Sequence, residues 1–103
     1  MSHDHEALEQ ARRRMIRYRV IAILDAGRPY PVGESMLLDV LTDADLAATQ
    51  DDVRKALQYL CDKGFVEIEI NERKVWESRL LPDGVDYLEN KNIDEPGIAR
   101  PSF

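Results

Sequence analysis

Residues 49–70 read TQDDVRKALQYLCDKGFVEIEI, and the change of period inside this stretch decides the fold. Val53, Ala56, Leu57, Leu60 and Cys61 recur at helical spacing, so one face of a helix carries the apolar side chains. Thr49 stands where an N-cap belongs, able to accept from the amide three residues on, and Asp51 and Asp52 favour the positive end of the helix dipole. Gly64, after Lys63, suits the left-handed conformation of a C-cap. From Phe65 the period falls to two. Val66, Ile68 and Ile70 share one face and Glu67 and Glu69 the other, which predicts a half-buried strand.

Toward the C-terminus, Trp76, Ser78 and Leu80 form the matching face of a second strand. Opposed residues of a hairpin share a face, so the connection should hold an odd number of residues, three or five. Pro82 suits the first turn of a final helix carrying Val85, Tyr87 and Leu88. Toward the N-terminus, Met36, Leu37, Val40 and Leu41 predict a helix over Glu34 to Thr42, with a turn through Ala48. Arg28-Pro29-Tyr30-Pro31 cannot be helical and should cross the surface as an extended link. Before it, Asp4 to Ala26 reads as a long helix ended by Gly27. Leu8, Ala11, Met15, Tyr18 and Ala22 lie on one stripe, widened by Ile16, Val20, Ile23 and Leu24. A helix apolar nearly all round in its second half should lie between the domain core and a further neighbour, and a second protomer is the expected one.

The expected fold is therefore α+β, mainly α: a winged helix-turn-helix of three helices, a short two-stranded β-hairpin wing and a C-terminal helix. A single domain should occupy residues 1–90, with 1–6 flexible, and residues 91–103 should form a polar tail outside the core. Length agrees, since 103 residues suffice for one modest core. No apolar run reaches membrane-spanning length, and the polar, acidic start has no signal-like apolar segment, so a cytoplasmic protein is expected. Cys61 is the only cysteine, which excludes an intrachain disulfide, and its place suits a packed core thiol.

Other markers carry a resemblance. They are Gly33-Glu34-Ser35 with Leu37-Leu38 and Val40-Leu41, then Asp52 to Leu60 running into Lys63-Gly64-Phe65-Val66, then Val75-Trp76, and finally Pro96-Gly97-Ile98-Ala99-Arg100-Pro101-Ser102. Together, from about Val20 onward, they resemble a group of small proteins encoded by Mu-like phages and prophages. The resemblance implies a phage-related winged helix in a bacterial host and no particular target. Gly33 stands where the group tends to have asparagine, and Leu81-Pro82-Asp83 where it tends to have threonine and a charged pair. Both are cap or turn sites.

The net charge is −6, which opposes the usual expectation that a small helix-turn-helix protein binds DNA, because phosphate neutralisation drives such binding. The charge is uneven, with Arg12, Arg13, Arg14, Arg17 and Arg19 clustered early. The leading expectation is duplex DNA binding, in transcriptional regulation or phage genome handling. Gln50, Arg54, Lys55 and Gln58 of the third helix, with Arg73 and Lys74 at the hairpin tip, would supply the contacts. Arg12, Arg13 and Arg17 would touch DNA backbone or a partner, and helix 1 would join a homodimer. The alternative is a protein-interaction module docking with a phage or host protein. The choice depends on whether Lys55, Arg73 and Lys74 share a flank free of carboxylates, and Asp51 is placed to form an i,i+4 pair with Lys55. His3 and His5 form a His-x-His pair at an unanchored terminus, and with Cys61 they are all that a metal or redox sensor could use. No nucleophile with a neighbouring base, phosphate-cradling loop or cofactor motif is present, so neither an enzyme nor a cofactor is expected.

Overall fold

The structure, a computed structural model, describes residues 2–101, with side chains from Asp4 onward. Met1, the side chain of His3 from the His-x-His pair, and Ser102 and Phe103 of the tail lie outside the described residues. The chain is a small, mainly helical α+β protein with a three-stranded antiparallel sheet. Its elements are α1 (Ser2–Gly27), β1 (Val32–Gly33), α2 (Glu34–Asp43), α3 (Gln50–Asp62), β2 (Val66–Ile70), β3 (Trp76–Leu80) and α4 (Pro82–Glu89). The segment 1–6, expected to be flexible, contributes residues 2–6 to the first turns of α1.

The core gathers Ile16, Val20, Ile21 and Leu24 of α1, Leu37 and Leu41 of α2, and Val53, Ala56, Leu57 and Leu60 of α3. Val66, Leu80 and Tyr87 close it from the sheet and α4. Hairpin register follows the alternation: Val66 pairs with Leu80, Ile68 with Ser78 and Ile70 with Trp76, across a five-residue connection. Gly64 takes the expected left-handed conformation, φ 79°.

Three expectations need correction. The sheet has three strands rather than two, because Val32 and Gly33 pair with Ser78 and Glu77 and place β1 beside β3. Two residues are too few to show alternation, so only the distant edge of β3 reveals them as a strand. In α1, Ile16, Val20 and Leu24 face the core, while Leu8 and Met15, in the first half of the helix, remain 70% and 49% exposed. In α2, only Leu37 and Leu41 of the expected apolar face are buried, and Met36 and Val40 face solvent. Finally, the tail does not stay outside the core. Ile98 is buried, the Ala99 amide donates to the Arg14 carbonyl at 3.1 Å, and Arg100 donates to the carbonyls of Tyr87, Ile93 and Asn90 while lying 4.1 Å from the Tyr87 ring centroid. Arg100 thereby answers the Tyr87 carbonyl in the last turn of α4. At Gly97 the Tyr59 ring occupies the place a Cβ would need, so glycine there has a packing reason.

No helix among the described residues is long and apolar enough to cross a membrane. Cys61 is half-buried against the core.

Candidate nucleic-acid interface

A reading helix needs a fixed N-terminus, and α3 has one. The Asp52 amide donates to Thr49 Oγ1 at 3.1 Å, and the Thr49 amide donates to Asp52 Oδ2 at 3.0 Å, which completes a reciprocal capping box. Arg12 of α1 reaches the same carboxylate at 3.2 Å and also donates to the Ala47 carbonyl. The Thr49 amide, then the Arg12 guanidinium, hold the Asp52 carboxyl below its usual range against the opposing effect of burial. Arg12 therefore anchors α1 to the start of α3, instead of standing free for a DNA backbone or a partner.

The cations and amides expected to read DNA are mostly engaged by the chain's own carboxylates. Arg54 makes a two-pronged ion pair with Glu34 at the start of α2, Nε to Oε2 at 2.7 Å and Nη2 to Oε1 at 2.8 Å. It also donates to the Lys74 carbonyl at 3.0 Å and lies 5.0 Å from the Trp76 ring centroid. Glu34 is buried and takes a third hydrogen bond from the Trp76 amide at 3.2 Å. Its carboxyl is held below the usual range chiefly by the Arg54 hydrogen bonds, with help from Trp76 and Gln50 and against burial. Arg54 and Glu34 thus tie α2, α3 and the sheet together.

On the outer face, Lys55 Nζ lies 3.0 Å from Asp51, with both side chains more than 70% exposed. Gln58 Nε2 donates to Asp62 Oδ1 at 3.0 Å. Asp51, Lys55, Gln58 and Asp62 together carry one net negative charge, which repels phosphate more than it attracts it.

At the hairpin tip, the Asn71 carboxamide oxygen accepts from the Arg73 and Val75 amides at 2.8 and 3.1 Å. Lys74 adopts a left-handed conformation, φ 65°. The side chains of Arg73 and Lys74 are exposed and have no carboxylate partner among the described residues. Glu72 stands next to them in the chain.

The α1 arginines differ. Arg17 lies 3.8 Å from the Tyr59 ring centroid and donates to the Gly97 carbonyl at 2.9 Å. Burial lowers its pKa, and the like charges of Arg13 and Arg14 push it further down. Two adjoining clefts share Arg13 and Arg17: one runs to Asp52, Lys55 and Ala56 of α3, the other to Gln10, Arg14, Pro96 and Gly97. Arg13, Arg14 and Arg17 form no ion pair among the described residues. No group of three or more histidine, cysteine or acidic side chains is gathered as a metal would require among those residues.

Sequence reasoning missed Glu34, Tyr59, Trp76 and Arg100 as organisers of this surface. Glu34 and Arg54 are separated by 20 residues, with no local pattern linking them. The one available signal was chemical: a lone carboxylate opening an apolar helix needs a cationic partner once buried. Comparisons with protein-family models, with curated proteins and with solved structures give no match, so no family is assigned.

Proposed function

We propose that this chain is a phage-type winged helix that serves as a protein-interaction module. The winged-helix reading is supported by the order helix, strand, helix, helix, hairpin, with the short first strand closing the sheet beside β3. The interaction reading rests on one observation. Three of the four polar side chains expected to read DNA from α3 are turned to a carboxylate of the same chain: Arg54 to Glu34, Lys55 to Asp51, and Gln58 to Asp62. A scaffold can keep its fold and exchange its ligand, and an acidic outer face favours a protein over phosphate.

The test is affinity capture by the intact chain from infected cells, with nuclease treatment before elution. The expected result is one protein retained in stoichiometric amount. Loss of all bound material on nuclease treatment overturns the reading, as does duplex binding that falls tenfold or more in a Lys55→Ala, Gln58→Ala variant.

A second reading, phosphate-led binding of duplex DNA, is favoured by the adjoining clefts where Arg13, Arg14 and Arg17 lack carboxylate partners. It predicts binding without base preference, steeply weakened by salt. Replacing Arg13 and Arg14 by alanine would reduce the slope of log affinity against log salt by about two. A flat salt dependence, or an unchanged slope in that variant, removes it.

A further inference from the structure

The outward stripe of α1 offers a surface of which only Tyr18 packs against the core, and Met15 and Tyr18 border a cleft that the tail residues Ala99, Arg100 and Pro101 line on the other side. Leu8, Ala11, Met15, Tyr18 and Ala22 follow one another at intervals of three, four, three and four residues, the spacing of a two-helix seam. Leu8 and Met15 are well exposed, while Ala11, Tyr18 and Ala22 are half-buried. The opposite face of the helix carries Ile16, Val20 and Leu24 into the core, so Leu8 and Met15, the exposed part of the stripe, point away from the domain. At 100° per residue, Arg19 flanks it on one edge and Arg14 on the other, while Arg12, beside Arg19, is already held by Asp52 and the Ala47 carbonyl. Between Leu8 and Ala22 no carboxylate of α1 lies on either edge, and Asp52 of α3 meets only Arg12.

From this juxtaposition we propose that the outward stripe of α1 docks an amphipathic helix of a partner protein whose own apolar stripe is edged with aspartate and glutamate. The inference rests on the interaction-module reading and names the chemistry of the partner. Charge decides between this occupant and a second copy of the chain. Edge positions of paired helices meet across the seam and select partners by sign. In a parallel pair of α1 helices Arg14 would face Arg19 of the other copy, and in an antiparallel pair Arg14 would face Arg14. Both arrangements oppose like charges beside an apolar seam, whereas glutamates on the incoming edges meet Arg14 and Arg19 with opposite sign. The apolar contact supplies affinity and the arginines supply selection.

The experiment uses the whole chain and two designed helical peptides with leucine at both seam positions of each heptad, one with glutamate at every edge position and the other with lysine. Fluorescence anisotropy should report binding of the glutamate peptide at least about tenfold tighter than the lysine peptide. Leu8→Asp with Met15→Asp should weaken the glutamate peptide by about tenfold or more without changing the melting temperature, since neither side chain is in the core. Arg14→Glu with Arg19→Glu should invert the preference. Equal binding of both peptides, no binding of either, or sedimentation of the unmodified chain as a dimer that Leu8→Asp dissolves would overturn the proposal. The Leu8→Asp, Met15→Asp variant also separates this proposal from the reading beneath it. If that variant captures the same cellular partner as the unmodified chain, the interaction module stands and the docking face is elsewhere; if neither captures a protein, the module reading itself fails.

Discussion

Arg54 and Lys55 are neighbours in the chain and belong to regions of opposite character. Arg54 points into the junction of α2, α3 and the sheet, where a buried carboxylate receives two of its donors and a backbone amide supplies a third. Lys55 meets Asp51 in full solvent, where such a pair contributes a few tenths of a kcal/mol at most. One helical step separates a cation that holds the fold from one that the fold could lose. The α1 arginines form a third condition, with Arg12 and Arg17 engaged by the fold and Arg13 and Arg14 unanswered. In a protein with excess acid, the availability of a cation depends on which carboxylate packing brings to it.

The contrast is sharpest at Glu34. Replacing it by alanine leaves the Trp76 amide and the inner donors of Arg54 without their acceptor, and should cost about 2–3 kcal/mol in chemical denaturation. A loss below about 1 kcal/mol would put the junction in the same class as Lys55–Asp51. Gly97→Ala should follow, at about 1–2 kcal/mol, because the new methyl group must displace the Tyr59 ring and with it the Arg17 contact. If melting is unchanged, the segment around Gly97 does not help to anchor Arg17.

Acid should erase part of the contrast. Glu34 and Asp52 both have folded pKa values below their ordinary ones, so the stability they add is fully present above the usual carboxylate range, about pH 4. It is withdrawn as pH falls through their lowered folded values. The stability difference between the unmodified chain and Glu34→Ala, constant near neutrality, should therefore shrink on acidification below about pH 4. A difference that persists into strong acid would mean that packing, not charge, makes Glu34 important. Smallest of all, Lys55→Ala should change stability by less than about 0.5 kcal/mol, and a larger loss would show that the exposed pair also holds the helix.

Much of this architecture was legible. The switch from helical to alternating spacing across Gly64, the cap at Thr49, the odd hairpin connection and the proline opening α4 are all local signals, each settled within a few residues. Half of the capping box was legible too: Thr49 as acceptor followed from its position, whereas the return bond from Asp52 required the short carboxylate to be seen in place. The candidate site was read less well. Arg54, Lys55 and Gln58 were chosen for their chemistry and their outward spacing, and nothing near Arg54 in the chain announces Glu34. The tail was misread for the same reason: Ile98 and Arg100 stand in a polar, turn-rich context whose burial depends on α1, α3 and α4 being assembled around it.

The sequence by itself determined the kind and order of the principal helices and hairpin strands, because periodicity, caps and turns act through neighbours along the chain. Tertiary structure alone decided that two residues after the prolines form the third strand, that Leu8 and Met15 of α1 stay exposed while Tyr18 packs on the core, and which arginines have carboxylate partners. Those outcomes depend on contacts between residues tens of positions apart, where free energy is set by burial and by the approach of charges in space.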